Sequence, residues 1–383
     1  MNAPLEGIVV ADFSRVLAGP LATAMLADLG AFVIKVERSG TGDDTRQWGP
    51  PWTDSSSSYF ECANRTKQSI ELDFSDEHDL ALARDLALRA DILVENFREG
   101  TLAKKGLGYE QLRLENPGLV YCSITGFGSR GGASLPGYDF LVQAMGGLMS
   151  ITGQPEGQPT KVGVALVDIL TSKDAVIGIL AALAARDKTA HGQRIEVNLL
   201  SSLLGSLANQ ASSYLATGIA PTRMGNEHPS IAPYQTLLCR DGYLTLCCGN
   251  DSQFERLVSV MGVPRLAKDE RFATNSARVE NRVELTRVLE DNLAVETVDT
   301  WSRRLLERGV PAGRVGDIGS AITLAESLGL QPTVEMGAGN PRQIRHPVTY
   351  SETPVSHYGP PPGLGEHNAA VRQWLDDNRR IVS

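Results

Sequence analysis

Short apolar runs alternate with helix-patterned segments through residues 8–199, and this alternation restricts the fold more than any other feature of the chain. Residues 8–13 (Ile-Val-Val-Ala-Asp-Phe) read as a buried strand. A short loop reaches Gly19, and Pro20 suits the first turn of a helix because it needs no backbone N–H there. Leu21, Ala24, Met25 and Leu29 line one side of that helix, and Gly30 can end it. Residues 31–37 are a second strand, which completes a βαβ unit. Residues 69–73 form a short strand and 77–89 a helix; 91–96, 119–124 and 194–199 are further strands. Such a pattern predicts an α/β fold with a largely parallel sheet and helices on both faces. Ligands of these sheets bind at loops leaving the carboxyl ends of strands, here residues 14–19, 38–44, 96–100 and 125–139.

A chain of 383 residues exceeds one ordinary core, so two domains are expected. Residues 217–234 gather Gly218, Pro221, Gly225, Pro229 and Pro233 and read as a linker. Beyond them, Asp241-Gly242 between two apolar runs predicts a hairpin, and helices follow at 252–261, 281–292 and 298–308. The expected organisation is a large domain begun by residues 1–216, a small α+β domain at 235–330, a second linker at 331–347, and a return to the large domain at 348–383. A last helix is expected at 366–379.

The net charge of −9, with no basic run, argues against nucleic-acid binding. No apolar stretch reaches the length of a membrane span, and the first residues carry no signal-like pattern, so a cytoplasmic protein without membrane association is expected. Cys62, Cys122, Cys239, Cys247 and Cys248 form no CxxC pair and the histidines are scattered, so neither a metal nor a disulfide framework is expected. Gly126-Phe127-Gly128-Ser129-Arg130-Gly131 matches a dinucleotide fingerprint literally. Gly132 and Pro136 follow instead of a helix, so it reads as a tightly turning loop.

Asp168 closes the apolar run 162–167 and precedes a helical pattern at Ile169, Leu170, Val176, Ile177 and Leu180. A carboxylate at a helix start has two physical uses. It can cap the helix by accepting orphan N–H bonds. It can also act as a nucleophile held ionised by those donors and the helix dipole, since an unperturbed Asp titrates near ~3.9.

Several short motifs together decide between these uses. Asp12-Phe13-Ser14, Ala18-Gly19-Pro20, Asp28-Leu29-Gly30-Ala31, Lys35-Val36-Glu37, Glu95-Asn96-Phe97-Arg98, Gly137-Tyr138-Asp139 and the run 163–168 occur in an order and spacing that resemble the class III CoA-transferases nearly end to end. That group contains formyl-CoA and carnitine CoA-transferases, and its superfamily includes α-methylacyl-CoA racemases. The resemblance implies a Rossmann-like large domain built from both chain ends, a small domain, and two ring-like chains threaded into an interlocked homodimer. It implies acyl-CoA and a carboxylic acid as substrates, with no permanently bound cofactor.

By position, the resemblance makes Asp168 the nucleophile that carries the acyl group and then CoA. Val16 and Leu17 approach the CoA through their backbone, and Arg38 meets the nucleotide phosphates. Leu72, Asp73, Phe74 and Ser75 line the adenosine end, while Asn96, Phe97 and Arg98 flank the pantetheine. Lys104 stands where formyl-CoA transferase has an arginine, keeping the charge without the planar fork. Tyr138 and Asp139 complete the CoA-binding set. Gly249 and Asn250 correspond to a glycine-rich lid, of which only Gly249 remains; a helix cap is the competing reading for this pair.

The racemases of the superfamily carry a histidine where this chain has Tyr138, and proton exchange needs two acid/base groups, so transfer is the expected chemistry. A non-catalytic acyl-CoA-binding protein is the alternative from another class, and the retained Asp168 argues against it. Residues 224–235 and 249–251 look most like the succinyl-CoA:glutarate branch, so dicarboxylic acids are the expected substrates. Arg223 or Arg314 is the expected cation for a distal carboxylate.

Overall fold

The computed structural model describes residues 3–54 and 56–377. Six strands make its central sheet: β1 Val9–Asp12, β2 Phe32–Arg38, β3 Gln68–Leu72, β4 Ile92–Glu95, β5 Val120–Thr125 and β6 Arg194–Asn198. They are all parallel and lie in the order β3-β2-β1-β4-β5-β6. The order reverses between β1 and β4, which opens a crevice outside their carboxyl ends.

Strand alternation explains why both faces are covered. Val10, Val33, Ile92, Val94 and Val120 point into one apolar cluster, and their neighbours Ala11, Ile34, Leu93 and Tyr121 into the other. The first cluster is closed by helix α1 (Ala18–Asp28), through Ala18, Ala22 and Leu26, and by a long helix over Leu166–Thr189. The second is closed by helix α2 (Glu77–Arg89), through Ala83, Leu86 and Ala87, and by the C-terminal helix Asn368–Asp377, through Val371 and Leu375. Burial of Val371 and Leu375 contributes about 1.5–3 kcal/mol each, and Trp374 packs on the same cluster while Asn368 and Arg372 bond Glu71 and Asp79, respectively. Asn378 and Arg379, the last residues of the helix expected at 366–379, lie outside the described residues.

The chain divides into two compact units. The larger takes the chain up to Leu148, Val162–Ala216 and everything from Gly329 onward; the smaller takes Met149–Lys161 and Thr217–Leu328. The smaller unit is built on an antiparallel sheet of β7 (Tyr234–Cys239), β8 (Gly242–Cys247) and β9 (Ala312–Arg314). Leu237, Leu244 and Leu246 from this sheet share a core with Phe254, Leu257, Leu289 and Trp301 from its helices. A helix at Ile318–Ser327 was not legible in the sequence; its start is set by a capping box between Asp317 and Ser320. Among the described residues no helix is long and apolar enough to cross a membrane.

Candidate active site

The loop after β1 is held by side chains at each polar backbone group from Ser14 N to Val16 N. Ser14 N–H donates to Asp12 Oδ1 at 3.0 Å, and Lys35 Nζ donates to Ser14 O at 3.0 Å. Asn96, just past β4, clamps Arg15 from both sides: its Oδ1 accepts from Arg15 N at 2.9 Å and its Nδ2 donates to Arg15 O at 2.7 Å. Val16 N–H donates to both oxygens of Asp43, at 3.3 and 3.2 Å. Val16 itself sits at φ +70°, in the left-handed region that a β-branched residue rarely occupies. The next turn is tight as well. A Cβ on Gly19 would lie 2.2 Å from Ser14 Cβ, so only glycine lets α1 start here.

Buried charges form the base of this loop. Asp12, Lys35 and Lys67 are fully buried. Lys67 Nζ donates to Asp12 Oδ2 at 3.0 Å, to Pro20 O at 2.8 Å and to Asn64 Oδ1 at 2.9 Å. Burial alone would raise the Asp12 carboxyl, but Lys67 and Lys35, with hydrogen bonds from Ser14 and Thr23, bring it down to about 2. Burial lowers Lys67 to about 8 against the pull of Asp12. These contacts explain physically why Asp12, Ser14 and Lys35 occur in the motifs.

Asp168 is the third residue of the long helix, labelled α4 (Leu166–Thr189), after α3 (Asp139–Met145). It does not cap that helix. The helix begins two residues earlier than Asp168, and Asp139 performs the capping from α3: its Oδ1 accepts from Val167 N at 2.8 Å and Asp168 N at 3.3 Å. Gln143 holds the arrangement from below. Its Nε2 donates to Asp139 Oδ2 at 2.6 Å and its Oε1 accepts from Val162 N at 2.9 Å. The Asp168 carboxylate is left without a hydrogen-bond donor among the described residues, at 9% exposure. Burial, with the Asp139 charge beside it, pushes its carboxyl up to about 7. The ionised state expected from an unperturbed aspartate therefore gives way to a carboxyl balanced near neutrality, because burial outweighs the helix N-terminus.

Asp168 opens into a cavity of about 290 Å³ at the carboxyl ends of β1, β4 and β5. Val16, Leu17, Asn96, Phe97, Arg98 and Tyr138 all line it. A second cavity of about 270 Å³ is lined by Arg38, Leu72, Asp73 and Phe74, and shares Arg15 and Phe97 with the first. An aromatic row joins them: Phe13 to Phe74 at 5.8 Å and Phe74 to Phe97 at 6.4 Å. The glycine loop 126–132 forms one wall of the Asp168 cavity. A Cβ on Gly126 would lie 2.3 Å from Gly137 Cα, so these two strands of the wall touch through bare backbone.

Other expected residues sit elsewhere. Ser75 turns back to bond Asp73, and neither of the two cavities is lined by it or by Lys104, on an exposed turn at Ala103–Lys105. Asp139 is occupied by helix capping. In the smaller unit, Asn250 caps helix Asp251–Val260 by accepting from Gln253 N at 2.9 Å, and Gly249 N–H donates to Gln253 Oε1 at 2.7 Å. The two arginines expected as the distal cation are both engaged. Arg314 pairs with Asp241 and Asp299 at 2.9 Å each, and Arg223 bonds the carbonyls of Gln154, Pro155 and Gly157.

Sequence reasoning missed Arg15, Asp43, Tyr59 and Gln143. Arg15 lies over the Phe97 ring, 5.5 Å from its centroid, where the cavities meet. Tyr59 is near enough to Asp168 and Asp139 that, after burial, their charges help raise its hydroxyl to about 12. Asp43 carried a legible signal in Gly42-Asp43-Asp44-Thr45, since its side chain caps a short helical turn by accepting from Thr45 N at 3.0 Å. Gln143 has one local partner, Asp139 four residues earlier on α3, but the Val162 N–H it accepts from lies on a later segment, which the local pattern does not announce.

Comparison with known proteins agrees with this geometry. The model of CoA-transferase family III matches residues 5–368. The chain is 45% identical to the succinate–glutarate CoA-transferase of Agrobacterium fabrum, over 99% of this chain and 98% of that protein. It is 39% identical to the human succinyl-CoA:glutarate CoA-transferase, over 96% of this chain and 85% of that protein. A crystal structure of a CAIB/BAIF family protein from Brucella suis is similar at a TM-score of 0.89 and 46% identity, covering 98% of this chain and 100% of that one.

Proposed function

This chain belongs to CoA-transferase family III, and on that premise we propose that it moves CoA from succinyl-CoA to a dicarboxylic acid, with Asp168 as the covalent carrier. The observation that carries the reading is Asp168 itself: a buried carboxylate with no donor among the described residues, lining a cavity in the crevice where a parallel sheet binds ligands. A carboxylate used only for structure would be paired there.

The steps balance without an added reactant. An Asp168 oxygen attacks the thioester carbonyl, the C–S bond breaks, and CoA leaves as thiolate from a mixed anhydride. The thiolate attacks the Asp168 carbonyl of that anhydride, releasing succinate and leaving an aspartyl-CoA thioester. The acceptor carboxylate then attacks this thioester, forms its own anhydride with Asp168 and expels the thiolate again. Attack of the thiolate on the acceptor's carbonyl makes the new acyl-CoA and restores the free carboxylate. Thiolate is a good leaving group in each exchange, and the buried setting limits hydrolysis of the anhydrides. Asp139 and Gln143 fix the first turn of α4, so Asp168 stays in place while its charge comes and goes.

The two cavities, which share Arg15 and Phe97, would take the two ends of the substrate. The nucleotide lies along Arg38, Leu72, Asp73 and Phe74, and the pantetheine passes Val16, Leu17, Asn96, Phe97 and Arg98 toward Asp168. Gly249 and Asn250 serve as a helix cap in this reading. The molecule works as an interlocked cytoplasmic homodimer, with chain crossings near 217–234 and 331–347.

The test is covalent trapping. Enzyme incubated with succinyl-CoA and then hydroxylamine should carry a hydroxamate at Asp168, read by peptide mass. A hydroxamate elsewhere, or none while transfer proceeds, refutes the mechanism. Light scattering on dilution should show a dimer; an active monomer removes the interlocked assembly.

A further inference from the structure

Resting on the CoA-transfer reading above, we propose that Asp43 is a positioning residue for the acyl-CoA: its carboxylate holds Val16 in the left-handed conformation that shapes the wall between the two cavities. Three observations lead there. Val16 adopts φ +70° although its branched side chain opposes that conformation, so something must hold it. Its N–H makes a bifurcated bond to Asp43, with Oδ1 at 3.3 Å and Oδ2 at 3.2 Å. Asp43 itself is pinned on its other sides, by Lys35 Nζ at 2.9 Å and by Thr45 N and Oγ1 at 3.0 and 2.8 Å.

The placement gives this bond a consequence for binding. Asp43 lines the cavity that holds Arg38, whereas Val16 lines the one that holds Asp168. A single side chain thus couples the nucleotide end to the pantetheine end. The neighbouring residues are fixed already, Arg15 by Asn96 and Leu17 by the start of α1. Val16 is the one strained link between them, and the Asp43 carboxylate is the group that holds its N–H. The bland account is that Asp43 serves only as counter-charge to buried Lys35, with Val16 a bystander. The two accounts separate because glycine takes a positive φ without strain.

The experiment is a double-mutant cycle on Asp43 and Val16. Asp43→Ala should raise the KM for succinyl-CoA about tenfold while kcat and the KM for the acceptor acid move less than about threefold. Adding Val16→Gly should recover most of that loss, because the loop no longer needs to be held. Asp43→Asn keeps one oxygen that can accept from Val16 N but turns an amide nitrogen toward Lys35 or Thr45, so it should raise the KM for succinyl-CoA by an intermediate amount, about three- to fivefold. If Asp43→Ala does not fold, the cycle is read on Asp43→Asn, where Val16→Gly should remove the smaller KM increase. Independent, multiplying effects in the cycle overturn the proposal, as does an equal rise in KM for both substrates. Calorimetry with CoA separates the levels: wild-type enzyme that binds no CoA overturns the CoA reading and this one with it, whereas normal wild-type binding with an uncoupled cycle overturns this one alone.

Discussion

Asp12 and Asp168 are both buried acids of the larger unit, one ending a strand of the sheet and one in the first turn of a helix, and their surroundings drive them in opposite directions. Asp12 accepts from Ser14, Thr23 and Lys67 and is held down at about 2 although burial opposes it. Asp168 has no donor among the described residues and rises to about 7 because burial outweighs the helix N-terminus and Asp139 adds like charge. The same side chain therefore serves as a fixed structural charge in one setting and as a carboxyl poised near neutrality, the proposed nucleophile, in the other. Desolvation acts on both; the lysines decide between them.

The largest expected effect comes from removing the unpaired acid. Asp168→Asn keeps the shape and takes away the nucleophilic charge, so transfer should fall by at least about 10³-fold while the fold and CoA binding persist. An active Asp168→Asn enzyme, shown by mass not to have deamidated, would end the comparison. Next is the paired acid. Asp12→Asn leaves Lys67 buried without its counter-charge and should cost about 3–5 kcal/mol of stability in urea unfolding. A loss under about 1 kcal/mol means the network relaxes or hydrates, and that Asp12 is not the fixed charge described here.

Stability against pH sharpens the contrast further, and the signs differ. Asp12 has a folded value below its unfolded one, so its contribution is present above about 4 and is lost as pH falls toward about 2. For Asp168 the folded value lies above 3.8, so its contribution is present below about 4 and is lost as pH rises through about 7. Asp168→Asn should therefore stabilise the enzyme at pH 8 by on the order of 2–4 kcal/mol, with the gain shrinking toward pH 4. Equal effects at both pH values would mean that Asp168 is not held up by burial.

What the sequence made legible follows the range of the interactions involved. The apolar runs around Val10, Val33 and Val120 mark β1, β2 and β5 within a residue or two, because strand burial is written in consecutive residues. Helix α2 was readable to its bounds, since Asp76 caps it locally and Arg89 is followed by Ala90-Asp91 and a strand. The proposed nucleophile, Asp168, was legible as a position in a motif, not as a chemical state. Its start-of-helix setting was read correctly, but the cap comes from Asp139, 29 residues away from Asp168 N, and no local pattern announces that. Its raised titration depends on burial by several segments. The Asp43–Val16 bond spans 27 residues and needed the β1–β2 pairing to become visible.

The smallest effect tests the remaining link, the like charge beside Asp168. Asp139→Asn keeps one oxygen to accept from Val167 and Asp168 N–H, so the cap of α4 survives. The new amide nitrogen, however, faces Gln143 Nε2, which now donates to Asp139 Oδ2. Gln143 cannot flip to suit it without losing the bond from Val162 N to its Oε1, so about 1 kcal/mol of stability should be lost. Removing the neighbouring charge also eases ionisation of Asp168. The acidic midpoint of the kcat/KM profile should thus move down from about 7, by less than about one pH unit, since burial is the larger cause. A midpoint that stays put assigns the whole shift to burial. A midpoint that moves up would mean that Asp139 helps Asp168 ionise through the helix it caps, reversing the sign given to it here.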